Sequence, residues 1–330
     1  MEFEFDEDQR LLQQSVRETL AKVKDQPADQ LWATYLELGW LEAPPVELAI
    51  ILEELGYIAD PTPFLASATW FAPLAGRLPR RSGTGVFDGD GQFVLDADRA
   101  DEVALLTGDG VKVVPGAELA AERLSTFDHR LHVASIPGCS GPAGPGGFSR
   151  GSGAPPAAGT SRDSGVLRSS PRAGTSGGSG LVAGVPDLAL AGLAVTTVGA
   201  CRKILDLVVA YVKQRHQFGV PIGSFQAVKH KAADMYVAIE RARVLAYYSA
   251  LTIAEDHPAR ARAALMAKAA AGECQQVVFA NGFQLFGAMG FTWESELHVY
   301  LKRALAGDLL LGPAPAHRKA LLALGTEVAA

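Results

Sequence analysis

The sequence predicts a mainly α-helical protein: an N-terminal helical domain, a reduced antiparallel β segment in the middle, and a C-terminal antiparallel helical bundle. Three observations carry that expectation. Apolar residues recur at helical spacing over residues 6–76, and they do so again over 185–328. Between these stretches, short apolar runs are punctuated by Asp-Gly turn signals. At 330 residues, 48% hydrophobic and 20% charged, the chain is long enough to build a sizeable core.

Asp6 is placed to cap the first helix, in which Leu11, Leu12, Val16, Leu20 and Val23 recur at helical spacing. Residues 31–38 and 46–55 give two shorter helices, the second stopped by Gly56, and Pro61 and Pro63 open a fourth through 65–74. The runs 91–95, 103–107, 111–114 and 130–136 read as strands, with Gly108-Asp109-Gly110 turning between two of them. Residues 187–217, 225–255 and 258–287 read as long bundle helices. In the second, Val228, Ala232, Met235, Ile239, Ala242 and Ala246 alternate spacings of four and three, as in a helix packed within a bundle. Two shorter helices follow near 294–309, with Glu294 as its expected cap, and 314–327. The predicted division is 1–80, 81–137, 138–184 and 185–330.

Residues 138–184 have a different texture. Thirteen of the 35 glycines fall between 138 and 180, with nine serines and five prolines, so little there can anchor a core. Two readings stay open: a flexible linker, or GC-rich coding sequence translated out of frame. Gly147-Phe148-Ser149-Arg150-Gly151 spells the nucleophile-elbow string, but it lies in this segment without the strand that an elbow needs.

A formal net charge of −6 argues against a nucleic-acid partner. Cys139, Cys201 and Cys274 are too far apart in sequence for a CxxC pair, so neither a metal site nor a disulfide framework is expected. The acidic first eight residues are unlike a secretory leader. The most apolar run, 188–200, is short for a membrane span and is followed by Arg202, Lys203 and Asp206. A cytoplasmic protein without a membrane span is expected. His129 and His132 read as surface residues, and Lys229, Lys231, Arg241, Arg243, Lys302 and Arg303 as solvated helix faces. Residues 269–272 form a small-residue seam for close helix packing.

The chemistry gathers in two runs. In the first, Arg215 offers a planar, permanently charged fork suited to phosphate oxygens, and Phe218 an aromatic face. Gly219 and Gly223 permit a tight turn, and Gln226 can pair with adenine or ribose edges. In the second, Gln284 to Phe291, Gly287 and Gly290 let backbone amides approach a phosphate. Both suit a dinucleotide.

The first run resembles the acyl-CoA dehydrogenase signature R-x-x-F-G-x-x-[IL]-x-x-[FH]-Q. The second resembles that family's Q-x-x-G-G-x-G-[FY] turn, with Ala288 in place of the second glycine. Residues 5–20, Leu36-Glu37-Leu38-Gly39 and Leu52-Glu53-Glu54-Leu55-Gly56 resemble its N-terminal helical domain. The resemblance implies that Arg215, Phe218, Gln226, Gln284, Gly287 and Ala288 contact an FAD bound mainly by a neighbouring subunit. It also implies α,β-dehydrogenation of an acyl-CoA thioester, with a carboxylate taking the α proton.

That carboxylate has two family positions, which fall here on Gly312 and Ala189. Neither is acidic. Asp187 lies roughly 200° round a helix from Ala189, which leaves Asp308, one turn before Gly312, as the remaining candidate base. The family's W-[IV]-[ST] flavin strand is not visible in 84–136. The pattern resembles the short subunits of heteromeric, actinobacterial steroid side-chain acyl-CoA dehydrogenases. This implies an α2β2 complex with a full-length, base-bearing partner and a steroid-type thioester. The alternatives are a non-catalytic structural subunit and a frame-damaged, inactive family member.

Overall fold

The computed structural model describes residues 5–87, 93–107, 109–137, 184–292 and 295–327. Residues 138–183 of the Gly/Ser/Pro-rich segment, the nucleophile-elbow string, Gly108 and Glu294 lie outside the described residues.

Helix α1 (Glu7–Val23) starts as its sequence requires. Asp6 Oδ1 accepts from the Gln9 amide at 2.8 Å, and the Gln9 side chain reaches back to the Asp6 amide, a reciprocal capping box. Helices α2 (Ala28–Glu37) and α3 (Pro45–Tyr57) follow, and α4 (Phe64–Ala66) and α5 (Ala72–Ala75) are joined through a π turn at Ser67–Phe71. Every residue of α3 from Leu48 to Gly56 is buried, the mark of a helix enclosed on all sides.

The bundle consists of α6 (Asp187–Gln214), α7 (Gln226–Ala254), α8 (Arg260–Phe286), α9 (Leu297–Leu309) and α10 (Ala314–Glu327). It shares one hydrophobic core with the N-terminal helices: Val16, Leu31 and Leu52 pack in the same cluster as Val198, Met235 and Leu301. By length and composition α6 could cross a membrane, but 78% of its apolar window is buried inside the fold, where it packs against α3, α7, α8 and α9. It approaches α3 backbone to backbone. A Cβ on Gly56 would run into the Thr196 carbonyl, and one on Gly199 into the Glu53 carbonyl. The expected seam holds too, since Gly272 lies directly beneath the Asp308 carboxylate.

The β segment forms two three-stranded sheets. One is ordered β1 (Gly83–Val86), β3 (Glu102–Thr107), β4 (Gly110–Pro115), and the other β2 (Val94–Leu95), β6 (Val133–Ser135), β5 (Glu122–Arg123). Pairings are antiparallel except β1 with β3, which run parallel with Gly83 opposite Glu102. A second core, including Trp70, Phe87, Leu95, Val103 and Val133, docks this lobe onto Ala189 and Leu193 at the start of α6.

Two arginines expected on solvated faces are instead paired with buried carboxylates. Arg243 Nε meets Glu53 Oε1 at 2.9 Å and Oε2 at 3.1 Å. Arg303 Nε meets Asp128 Oδ2 at 2.7 Å, and its Nη1 donates to the Asp60 carbonyl at 2.7 Å. The reason is the carboxylates: Glu53 is 0% exposed and Asp128 3%, and a buried charge persists only when paired. His132 is also more than a surface residue, because its Nδ1 lies 2.9 Å from Asp98 Oδ2.

Candidate functional site

Helix α6 ends where Arg215 turns extended, its amide still donating to the Tyr211 carbonyl at 2.8 Å. The chain then forms a small hairpin, β7 (His216–Gln217) against β8 (Val220–Pro221). Between the strands, Phe218 (φ 55°) and Gly219 (φ 83°) are both left-handed, as a two-residue type I′ turn demands. The Ile222 amide closes the hairpin on the Arg215 carbonyl at 2.8 Å. Phe218 is 92% exposed and meets Phe225 edge to face, centroids 6.2 Å apart. Gln226, the next residue, begins α7 and is exposed.

The second motif closes α8. Gly287 has φ 59° and ψ −141°, a region essentially restricted to glycine, and an added Cβ would meet nothing. The glycine is therefore there for the backbone, not for space. Gln284, Gly287 and Ala288 are all exposed. Two contacts bring the motifs to the same end of the bundle. The Tyr211 and Phe286 rings stack at 4.5 Å, and Lys231 Nζ donates to Asn281 Oδ1 at 3.2 Å. Arg215, Phe218, Gln226, Gln284, Gly287 and Ala288 are thus exposed together at this end of the bundle, and none lines the apolar cavity beside the β lobe.

That cavity, about 530 Å³, lies between the β lobe and the end of α9. Its walls include Trp70, Phe87, Leu310 and Leu311, and Gly312 (φ 97°), the first family base position, lies at its edge. Ala189, the second base position, is 0% exposed in the core under the β lobe. Asp187 faces away from it, paired with Arg260 Nε at 3.2 Å, and burial raises its pKa.

Asp308, the remaining candidate base, sits at the start of α10. Its Oδ1 accepts from the Ala314 amide at 3.0 Å, which makes it the cap of α10, and it does not line the cavity. A buried lysine that sequence reasoning missed holds the same turn. Lys268 Nζ donates to the Asp308 carbonyl at 2.8 Å and the Gly312 carbonyl at 2.9 Å. Burial pushes its pKa down to about 8. An ammonium-sized group within the alanine run of α8 was the available signal.

Helical N-terminal layer, small β lobe and bundle with a dinucleotide-suited edge together define a flavin-linked dehydrogenase architecture. The family model described as acyl-CoA dehydrogenase, C-terminal domain, matches residues 189–323. Acyl-CoA dehydrogenase IpdE2 of Mycolicibacterium smegmatis is 32% identical over 289 residues, 84% of this chain and 78% of that protein. IpdE2 of Mycobacterium tuberculosis is 30% identical over 302 residues, 88% and 80% respectively. The chain belongs to the acyl-CoA dehydrogenase family, whose members are FAD-dependent flavoproteins.

The same fold is found in the ChsE4-ChsE5 complex from Mycobacterium tuberculosis, with TM-score 0.73, 18% identity, and 100% of this chain and 99% of that one covered. The Tcur3481-Tcur3483 steroid ACAD has TM-score 0.72, 21% identity, and coverage of 98% and 99%. The residues present fit part of an FAD. Arg215 offers guanidinium N–H groups and Gly287 a glycine-only backbone, both exposed, which is chemistry that suits a pyrophosphate.

Proposed function

We propose that this chain is the short, base-free subunit of a hetero-oligomeric FAD-dependent acyl-CoA dehydrogenase. It lends one edge of a flavin site whose larger part, with the catalytic carboxylate, lies on a full-length partner in an α2β2 assembly. One observation carries this reading: the six edge residues face solvent together, while Gly312 and Ala189 lack a carboxylate and Asp308 is committed to capping.

In the reaction, the C–H bonds at the α and β carbons of the thioester break, and the α proton passes to the partner's carboxylate. FAD, when bound, supplies the hydride acceptor. This chain's share is binding and orientation. The Arg215 guanidinium would pair with pyrophosphate oxygens, Phe218 would cover the adenine end, and Gln226 would bond an adenine or ribose edge. Gln284 and the amides at Gly287 and Ala288 would close on the phosphates. The similarity to a steroid ACAD favours a bulky, steroid-like CoA thioester, in a cytoplasmic setting.

The test is flavin absorbance of the chain purified alone and co-expressed with its full-length partner. Flavin is expected only in the complex, and Arg215→Ala should weaken its retention by roughly tenfold or more, as loss of a charge-assisted pair does. Full flavin loading and turnover by the chain alone would overturn the proposal. Unchanged flavin in Arg215→Ala would make the chain a structural subunit. Sequencing the DNA for residues 138–180 tests the out-of-frame reading of that segment.

A further inference from the structure

Three parts of the fold meet at a small polar cavity of about 30 Å³, which has room for a water molecule or two and not for an organic ligand. The N-terminal layer brings Asp60 and Thr62 to it, the β lobe Asp96, and the bundle Arg303 on α9. Arg303 ties the bundle to the other two, with Nε on Asp128 Oδ2 and Nη1 on the Asp60 carbonyl, both at 2.7 Å. Arg99 ties the β lobe to the N-terminal layer. Its Nε donates to Asp96 Oδ1 at 2.8 Å and its Nη2 to the Pro61 carbonyl at 2.6 Å.

Three buried carboxylates, those of Asp60, Asp96 and Asp128, thus face two guanidiniums. A buried charge persists only with a partner, so the cluster is one counter-charge short. The hydrogen bonds identify the carboxylate that makes up the difference. Asp128 has both oxygens engaged, by Arg303 Nε and by the Arg130 amide at 3.0 Å. So has Asp60: Oδ1 accepts from the Tyr35 hydroxyl at 3.2 Å, and Oδ2 from the Thr62 hydroxyl at 2.6 Å and amide at 3.2 Å. Asp96 Oδ1 is held by Arg99, but no donor among the described residues reaches its Oδ2. A carboxyl proton fits at that oxygen.

Nothing else around the cavity supplies the missing charge. The walls from α3 and α6 are neutral, namely Leu52, Leu55, Leu193 and Thr196. Asp98 holds His132 Nδ1 at 2.9 Å, and burial, with the Arg99 and Arg123 guanidiniums, lowers the pKa of that imidazole. Burial pushes both Asp60 and Asp96 up, Asp96 to about 7, so the two carboxyls compete for one proton. The three donors on Asp60 favour its charged form and leave the proton to Asp96.

We propose that this junction is a one-proton latch. With the proton on Asp96, the β lobe is closed against the N-terminal layer; without it, the Asp96 and Asp60 carboxylates repel and the lobe loosens. The lobe carries Phe87, Leu131 and Val133 of the large apolar cavity's wall, so its release frees that wall. The inference rests on the junction alone and is independent of the flavin edge.

The closed lobe keeps a proton that the open one gives up, so rising pH favours opening. One proton is worth up to roughly tenfold per pH unit. The rise ends at about 7, where the closed form itself titrates. Hydrogen exchange of the full chain from about pH 5 to about 8, corrected for the intrinsic pH dependence of amide exchange, tests this. Amides of β2 and β6 should exchange through an opening that leaves α8 protected, growing severalfold or more per pH unit and levelling off near 7. Asp96→Asn, neutral and of the same shape, should abolish the rise. Asp60→Asn, which removes the repelling charge, should move the levelling point to lower pH. Equal protection of the lobe and α8 at every pH, no rise in the wild type, or a rise that survives Asp96→Asn would each overturn the proposal. If Asp96→Asn fails to fold, an unmoved levelling point in Asp60→Asn overturns it instead.

Discussion

Arg243 on α7 grips Glu53 on α3 across 190 residues of sequence, Nε to Oε1 at 2.9 Å. Arg202 Nη1 reaches the same oxygen at 2.7 Å, and the Tyr247 hydroxyl donates to Oε2 at 2.5 Å. Burial pushes the Glu53 pKa up, but the two guanidiniums outweigh it and hold the carboxyl below its ordinary value of 4.5. A depressed acid stabilises the fold above its unfolded pKa, and that stability is lost as the pH falls through the folded value. Glu53→Ala should cost about 3–5 kcal/mol at neutral pH, the usual penalty for breaking a buried pair. It should also shrink the acid limb of stability below pH 4.5. Urea unfolding across that limb checks both.

Asp96 carries the opposite sign. It is buried, and desolvation raises its pKa to about 7 despite the Arg99 guanidinium beside it. The folded chain keeps a proton that the unfolded chain releases above 3.8, so this group's contribution falls as the pH rises from 3.8 to about 7. Asp96→Asn should flatten that slope. Asparagine also tolerates the φ of 56° at this position. The fall in unfolding free energy between these pH values should be shallower in the variant than in the wild type.

Lys268→Met tests the clamp on the turn after α9. The substitution strands the Asp308 carbonyl, a buried acceptor whose loss of partner costs about 1–3 kcal/mol, and leaves the Gly312 carbonyl to His317 Nε2 at 2.9 Å. Amide exchange over 309–314 should accelerate well beyond any change elsewhere. The wild type should gain stability from about pH 8 to 10.5, where the unfolded lysine still holds its proton and the folded one does not. The methionine variant should not.

Gly287→Ala probes conformation without crowding, because the new Cβ meets nothing. Forcing alanine to φ 59°, ψ −141° costs about 1–3 kcal/mol, so the turn should rearrange instead. Flavin content of the co-expressed complex should drop, with the thermal midpoint of the isolated chain shifting little. Retained flavin would show that this turn does not contact it.

The helices and the turn at Gly219 were legible because their signals are local, whereas the expected helix to 217 gives way to a hairpin at Arg215. Asp6 at the start of α1, the four-and-three spacing of α7, and Gly219 each act within a few residues. Arg243, Arg303 and Asp308 were not, since each is defined by a group elsewhere in the chain. Glu53 and Asp128 are 190 and 175 residues from their arginines, and Asp308 is a cap only because Ala314 and Gly272 close on it. A signal did exist: Glu53 and Glu54 interrupt an otherwise apolar helix, and buried acids require cations. The strand at Gly83-Thr84-Gly85-Val86 is only four residues long and half glycine, which weakens its local signal, and its parallel pairing depends on a distant partner.

The glycine contact between α3 and α6 also limits how this protein can be recombined. Gly56 and Gly199 each sit where the other helix's backbone leaves no room for a methyl group, and Glu53 shares that stretch of α3 with its arginines. A chimera that took its N-terminal helices from one homologue and its bundle from another would have to match both surfaces at once. Residues 53–56 and 196–202 therefore form a single module for any exchange of parts, although 139 residues of chain separate them.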